Sequence, residues 1–300
     1  MFFMVKRIGL LEYSFEQYIH DVMALVKKSV DVDFSFMSFG SHRLSGLEHF
    51  DLIFDTISPF NKYVAEMAKL YRLKGTYIIN DPFVTSAYNK MVQYDKLAKL
   101  GMPIPKTFIV PDKPDTTERV FVRKPLYRDI LDNFSFPFVM KPYDGWGTYD
   151  IHVIGSRKDL FRVGREKQDR IMLVQEAVFP VDYYRVFVIN KKDVYFLKRK
   201  PTFIEAKNFD FRDFSVLTPK LRNFITRSSV KICRSIGYDF STIEWSITEE
   251  GKAFIIDVND APNVADPKKA RRNRTYFPKE AYDWVVDRIS GMFVEKIGSA

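Results

Sequence analysis

Three short segments of the 300-residue chain carry charged side chains, the first two together with glycines, in patterns that could serve chemistry. The first is KPYDGWGTYD, at residues 141–150. It lacks the G-x-x-x-x-G-K-[ST] signature of a P-loop, and no third glycine after Gly145 and Gly147 completes the dinucleotide fingerprint. The glycines could still bring backbone N–H groups close to an anion, with Lys141 adding a positive charge. A tight hairpin turn beside a surface lysine explains the segment equally well.

The second segment, EWSITEEGKAFIIDVND, reads as two strands that fold back on each other. A turn at its Glu-Gly pair would place Glu244 opposite Asp257. Strand alternation then puts three more side chains on that face: Ser246, Ile255 and Asn259. Two carboxylates and an amide are oxygen ligands that suit Mg²⁺. An exposed polar hairpin is the alternative, but the apolar run AFIID favours a buried strand, where two carboxylates without a cation would be costly.

The third segment is IMLVQEAVFPVDYYRVFVI. An apolar strand ends in Gln175 and Glu176, and an irregular stretch then leads into a second strand that carries Arg185. A turn of this kind presents backbone N–H and C=O groups that could bind a planar base. An ordinary connection between strands has the same composition, so both interpretations stay open.

The elements around these segments change character along the chain. In the first part strands alternate with helices, which predicts a small parallel sheet because parallel neighbours need crossover connections. A helix is predicted from Ser86 to Leu100, and Gly101 with the prolines that follow ends it. Beyond a proline-rich charged stretch the strands come in hairpins, and an amphipathic helix closes the chain. An α/β front unit joined to an α+β body is the predicted architecture.

The composition limits the function classes. With 46% hydrophobic residues the chain can bury a large core, and its net charge of +9 favours anionic partners. Cys233 is the single cysteine, which excludes a disulfide framework and a cysteine-based metal site. No apolar run is long enough for a signal peptide or a membrane span, so we expect a soluble cytoplasmic protein. The basic run at residues 268–274 has no interleaved aromatics, which favours a solvated surface over nucleic-acid binding.

In their order and spacing these features resemble the ATP-grasp superfamily, most closely its glutathione-synthetase and RimK-like branch, and within it a group of proteins whose substrates are poorly defined. The matching positions are Asn80, Asn89, Lys90, Gly101, Pro105, VMKPYDGWG, Gln175, Glu176, Glu244, Asp257 and Asn259. Motifs carry the resemblance over residues 75–265, and topology carries it in the front unit. It implies an N-terminal parallel α/β (pre-ATP-grasp) domain at 1–85, a hairpin-rich lid subdomain at 86–176 and a C-terminal antiparallel-sheet subdomain with a metal site at 177–300.

The resemblance also implies a role for each group of residues. ATP phosphates would be bound by Lys90 and Lys141 under the loop of Gly145, Trp146 and Gly147. The base and ribose would lie at a hinge formed by Gln175, Glu176, Ala177, Val178, Asp182 and Tyr183. Mg²⁺, with Mn²⁺ as the alternative, would be bound by Glu244, Asp257 and Asn259. Charge at the transferred phosphate would be stabilised by Arg185 with Lys198 or Arg199.

The implied activity is ATP-dependent ligation of a carboxylate to an amine through an acyl phosphate, with an anionic small molecule or a peptide as substrate, in a chain that could form homo-oligomers. Two departures from the ligase pattern stand out. The carboxylate lengths at the metal site are exchanged, and the 207–219 segment contains no glycine. An ATP-grasp kinase that phosphorylates a hydroxyl is therefore the alternative, followed by a module that binds nucleotide or nucleic acid without turnover.

Overall fold

The first sheet is parallel, with the strand order β2-β1-β3-β4. The computed structural model describes residues 5–41, 46–113, 127–145, 150–199, 215–267 and 277–299. The strands of the first sheet are β1 Lys6–Leu11, β2 Val32–Phe36, β3 Leu52–Asp55 and β4 Tyr77–Ile79. Helices α1 Gln17–Ser29 and α2 Lys62–Leu73 supply crossovers between them. The predicted parallel front unit is confirmed.

Two helices, α3 Pro82–Ala87 and α4 Lys90–Lys99, replace the single helix predicted from Ser86 to Leu100. The break lies at Asn89, which is extended rather than helical. Its side-chain oxygen accepts a hydrogen bond from the Val92 N–H at 3.1 Å and so caps α4. Helix α4 ends where predicted, at a left-handed Gly101 with φ +69°.

The second sheet is antiparallel, in the order β5-β8-β6-β7. Its strands are β5 Thr107–Val110, β6 Phe138–Pro142, β7 His152–Ile154 and β8 Met172–Glu176. Helices α5 Tyr127–Asn133 and α6 Arg157–Glu166 belong to the same part of the chain. The β6–β7 hairpin flanks the glycine-bearing segment, as expected. Trp146 and Gly147 lie outside the described residues, as do the 268–274 run and most of 207–219.

The third sheet is also antiparallel, in the order β10-β9-β11-β12. Its strands are β9 Asp182–Ile189, β10 Asp193–Lys198, β11 Phe240–Ile247 and β12 Ala253–Asn259. Helix α7 Pro219–Ile236 carries Cys233, which is buried as a free thiol, and helix α8 Lys279–Ser299 is the last described element. The predicted combination of a parallel α/β front with two hairpin-built sheets is confirmed. The boundaries at 85/86 and 176/177 stay predictions.

The register between β11 and β12 confirms one prediction and corrects another. Glu244 pairs with Asp257 as the alternation predicts, but the register shifts by one residue between Glu244 and Trp245. Ile256 is the extra residue of this bulge, so Ile255 pairs with Trp245 on the opposite face. The prediction that Ile255 shares the face of Glu244 is therefore wrong, because simple alternation cannot anticipate a bulge.

One aromatic cluster joins the first sheet, the third sheet and the last helix. The Phe54 ring of β3 lies 6.0 Å from Phe240 of β11 and 5.4 Å from Phe293 of α8, measured between ring centroids. All three side chains are fully buried, and burying such a side chain stabilises the fold by about 1.5–3 kcal/mol. The cluster thereby sets the front sheet against the third sheet. Among the described residues, no helix is both long and apolar enough to cross a membrane.

Candidate active site

A cavity of about 430 Å³ lies where the first sheet meets the third. One side, here called the rear wall, carries Lys90, Lys141, Arg185, Glu244, Asp257 and Asn259. The other side, the front wall, carries Glu12, Tyr13, Glu16, Tyr18, Thr56 and Phe60 from the first sheet and its loops. Gly145 and Ile151 also line the cavity. Three residues that were predicted to bind phosphate are thus brought together: Lys90, and from the 141–150 segment Lys141 and Gly145.

Lys141 is the most buried charged group of the rear wall, with 5% of its surface exposed. Its ammonium donates hydrogen bonds to the Tyr94 hydroxyl at 2.8 Å and to the Ile256 carbonyl at 3.2 Å. Ile256 is the bulge residue of β12, and its carbonyl also accepts a hydrogen bond from the Tyr94 hydroxyl. Burial lowers the pKa of Lys141 to about 8, although Asp257 and Glu244 act in the opposite direction. A buried lysine of this kind is suited to an anionic ligand.

Lys90 stands at the first position of α4, and its ammonium forms an ion pair with the Asp257 carboxylate. Both side chains are largely buried, at 14% and 18% exposure. The Lys90 backbone N–H donates to the Tyr143 carbonyl at 3.1 Å, which ties the start of the helix to the end of β6. The predicted phosphate lysine and the predicted metal carboxylate are therefore direct neighbours.

Arg185 lies opposite Glu244 in the β9–β11 register. Its guanidinium contacts one Glu244 oxygen through Nη2 at 2.6 Å and through Nε at 3.2 Å. The Tyr183 hydroxyl donates to the other carboxylate oxygen. Burial and the nearby Glu244 raise the pKa of Tyr183, so the hydroxyl keeps its proton and holds Glu244 in place.

The face that carries the predicted metal ligands has the donor set that Mg²⁺ prefers. Glu244 and Asp257 are opposite each other, Asn259 follows on the same face, and all three line the cavity. No three His, Cys, Asp or Glu side chains in the described part of the chain are close enough to hold a metal by themselves. Two carboxylates and an amide fit Mg²⁺ when phosphate oxygens and water complete its six positions.

Solved structures match this chain over nearly its full length. A RimK domain ATP-grasp protein from Sphaerobacter thermophilus DSM 20745 has a TM-score of 0.64 at 13% identity, covering 97% of this chain and 99% of that one. D-alanine–D-alanine ligase from Bacillus anthracis, complexed with ATP, has a TM-score of 0.63 at 13% identity, covering 98% and 99%. The chain has the ATP-grasp fold. The ATP-grasp ligase PsnB, complexed with a phosphomimetic precursor variant, Mg and ADP, has a TM-score of 0.59 at 13% identity, covering 96% and 99%. No family model and no curated protein matches the sequence.

Within this ATP-grasp fold the predicted hinge residues lie away from the cavity. Gln175 is buried and donates to the Thr107 hydroxyl at 2.9 Å, while the Glu176 side chain is exposed. Ala177 is half-buried and Val178 is buried. None of these four lines the cavity that Lys90 and Lys141 share, so their role toward a base stays a prediction.

Asp182 and Lys198 form an ion pair at 2.6 Å, with the Asp182 carboxylate fully buried. The same carboxylate accepts hydrogen bonds from the Ser215 hydroxyl and the Val216 N–H, so it holds the start of the segment before α7. Arg199 is half-buried, and burial together with the charge of Arg185 lowers its pKa. Of the three predicted catalytic cations, the structure places only Arg185 on the cavity wall.

The front wall was missed from the sequence. Glu12 follows β1 and Thr56 follows β3, at the carboxyl ends of neighbouring parallel strands. The Thr56 hydroxyl donates to the Glu12 carboxylate at 2.6 Å, the Tyr13 N–H donates at 2.7 Å, and the Tyr18 hydroxyl donates as well. Polar residues directly after two parallel strands are the signal that could have identified this wall, because ligands of open α/β sheets bind at that edge.

Proposed function

We propose that this chain is an ATP- and Mg²⁺-dependent ligase that joins a carboxylate to an amine through an acyl phosphate. The observation that carries the proposal is the rear wall: in an ATP-grasp fold, Lys90, Lys141 and Arg185 share one cavity with Glu244, Asp257 and Asn259. Structural neighbours with this fold contain ATP, or Mg with ADP, and two of them are ligases by name.

The rear-wall cations would bind and orient the phosphates. Lys141 is already fixed by Tyr94 and the Ile256 carbonyl, and Arg185 is fixed by Glu244. Charges held in place before the reaction need little reorganisation as negative charge moves onto the leaving phosphate, which is where most catalysis of phosphoryl transfer originates. Glu244, Asp257 and Asn259 would hold Mg²⁺, which neutralises phosphate oxygens when bound.

The two walls suit the two substrates of such a reaction. A substrate carboxylate oriented by the rear-wall cations attacks the γ-phosphorus, the bond to the β-phosphate oxygen breaks, and ADP leaves. The amine, bound as an ammonium, releases one proton, and its nitrogen then attacks the acyl carbon. Inorganic phosphate departs with the electron pair, and the nitrogen loses a second proton. Glu12 and Glu16 place negative charge on the front wall, where a protonated amine would bind before reaction.

Hydroxylamine added during turnover tests the proposal. The chain is incubated with MgATP and a metabolite pool, and ADP, phosphate and hydroxamate are measured together. A ligase gives ADP with a hydroxamate, because hydroxylamine captures the acyl phosphate. A stable phosphorylated product without hydroxamate would identify the kinase alternative. Nucleotide binding with no ADP in any pool would contradict both enzyme assignments.

A further inference from the structure

Arg170 bridges two carboxylates, Asp144 and Asp150, that lie on either side of residues 146–149 in the sequence. Its Nη2 contacts the Asp144 carboxylate at 3.0 Å, and its Nη1 contacts the Asp150 carboxylate at 3.2 Å. The planar guanidinium can hold two separate carboxylates at once, whereas the point charge of a lysine cannot do so with the same geometry. One side chain thus links Asp144 to Asp150.

The two carboxylates differ in how strongly they are held. Asp150 is 8% exposed and also contacts Lys167 at 2.6 Å and His152 at 2.8 Å. Burial acts to raise the pKa of Asp150, but hydrogen bonds from Lys167 and His152 bring it below its usual value, so the residue stays ionised. Asp144 is 51% exposed, and Arg170 is its ion-pair partner. Asp150 is the fixed end, and Asp144 depends on Arg170.

Each bridged carboxylate is next in sequence to a residue that lines the cavity. Gly145 follows Asp144, and Ile151 follows Asp150. Gly145 is packed so tightly that an added Cβ would lie 2.6 Å from the Pro142 ring. A shift of the Asp144 backbone would therefore move Gly145 relative to the cavity.

The segment that carries Arg170 also reaches the phosphate lysine of α4. The carbonyl of the next residue, Ile171, accepts a hydrogen bond from the Tyr143 N–H at 3.3 Å. The Tyr143 carbonyl in turn accepts from the Lys90 N–H at 3.1 Å. Arg170 and Ile171 together hold the backbone on both sides of the glycine and, through Tyr143, the start of α4.

We propose that Arg170 is a positioning residue for nucleotide binding, acting through Asp144 and Asp150 on Gly145 and Ile151. Its own side chain does not line the cavity, and it belongs to none of the sequence motifs described above. The inference rests on the proposed function in one respect only: the cavity must bind ATP.

Isothermal titration of MgATP into six proteins tests this inference: wild type, Arg170→Ala, Arg170→Lys, Asp144→Ala, the Arg170→Ala/Asp144→Ala double variant and the control Arg162→Ala. Arg162 lies on α6, is 54% exposed and pairs with Glu166, so its removal leaves the loop untouched. We expect Arg170→Ala to weaken MgATP binding about 10-fold, since lost positioning can cost up to about 10²-fold. Arg170→Lys should keep the thermal unfolding midpoint of the wild type but not its affinity. Asp144→Ala should reproduce the loss, and combining it with Arg170→Ala should add little.

The possible outcomes distinguish a failure of the Arg170 positioning role from a failure of the proposed ATP-dependent function. Wild-type protein that fails to bind MgATP contradicts the proposed function. Wild type and both Arg170 variants binding equally well contradicts the positioning role and leaves the ATP site intact. Wild-type MgATP affinity in Arg170→Lys would mean that only the charge at position 170 matters. That result would contradict the role of the guanidinium in holding both carboxylates.

Discussion

The two walls of the cavity hold their charges in different ways. On the rear wall each carboxylate has a cation: Asp257 pairs with Lys90, and Glu244 pairs with Arg185. On the front wall, Glu12 is held by the Tyr13 N–H and by the hydroxyls of Tyr18 and Thr56, and no described Lys, Arg or His side chain forms an ion pair with it. The rear wall is a network of compensated charges, whereas the front wall presents a carboxylate supported by neutral donors.

This difference indicates a division of labour. Burying an ion pair costs desolvation free energy. A highly charged ligand can offset that cost when it forms new ion pairs with the two partners. A carboxylate fixed by neutral donors keeps its negative charge available to a cationic ligand. Under the proposed function, phosphates and metal would bind at the rear wall and the amine at the front wall, and substitutions on each wall should affect different substrates.

The largest effect is expected from neutralising the rear wall. Lys141→Met keeps the buried stem but removes the charge, and Asp257→Asn removes one predicted metal ligand. Each should lower ADP formation about 10²- to 10³-fold, as losing one preorganised contact to developing charge does. Lys99→Met, at a side chain 72% exposed, is the control and should behave as wild type. Near-normal ADP formation in both rear-wall variants would contradict the assignment of Lys141 and Asp257 to the active site.

A smaller and more selective effect is expected on the front wall. Glu12→Gln should raise the KM for the amine substrate about 10-fold and leave the KM for ATP unchanged, because a charge-assisted hydrogen bond to the amine is lost. Glu48→Gln, whose side chain is 69% exposed and remote from the cavity lining, serves as the control. An equal rise in both KM values would show that the two walls do not divide the substrates.

The pKa of Lys141 predicts a pH dependence that belongs to the rear wall. With a pKa of about 8, only about a tenth of Lys141 is protonated at pH 9, so kcat/KM for ATP should fall about 10-fold from its plateau. Lys141→Arg keeps its charge and should give a flat profile over this range. A wild-type profile that is flat to pH 9.5 would contradict the assignment.

The free energy of unfolding should also depend on the protonation of Lys141, but it should increase with pH where kcat/KM decreases. Between pH 8 and the ordinary lysine pKa of about 10.4, the unfolded chain binds more protons at this residue than the folded chain does. The contribution of Lys141 to the free energy of unfolding therefore rises with pH in that window. Denaturant titrations at pH 7.5 and 9.5 measure this: the free energy of unfolding of the wild type minus that of Lys141→Met should be more positive at the higher pH.

The smallest effect is expected at the predicted hinge. The Glu176 side chain is exposed and lies outside the cavity lining. Glu176→Ala should change MgATP affinity by less than about twofold, since exposed polar side chains contribute little. A tenfold or greater loss of MgATP affinity would show that the Glu176 side chain contacts the nucleotide, and that the hinge and the rear wall belong to one binding site.

Much of the rear wall could be predicted from the sequence because local rules govern it. A turn at the Glu-Gly pair and strand alternation predict Glu244 opposite Asp257, and that pairing is observed. Nearer the turn the register differs by one residue from the prediction, since Ser246 pairs with Phe254 and Ile247 with Ala253, and the bulge at Ile256 restores the predicted register at Glu244. The bulge residue Ile256 also supplies the carbonyl that Lys141 contacts, and that contact forms only in three dimensions.

The sequence by itself determined the parallel front and the hairpins, because periodicity and turn chemistry act over a few residues. The division into a lid and a C-terminal antiparallel sheet followed from the order of motifs, which resembles ATP-grasp proteins. Only the tertiary structure decided that Glu12, Thr56 and Lys141 line one cavity, and that Arg170 links Asp144 to Asp150. Such contacts depend on how separate sheets pack, and residues far apart in the chain carry no local signal of that packing.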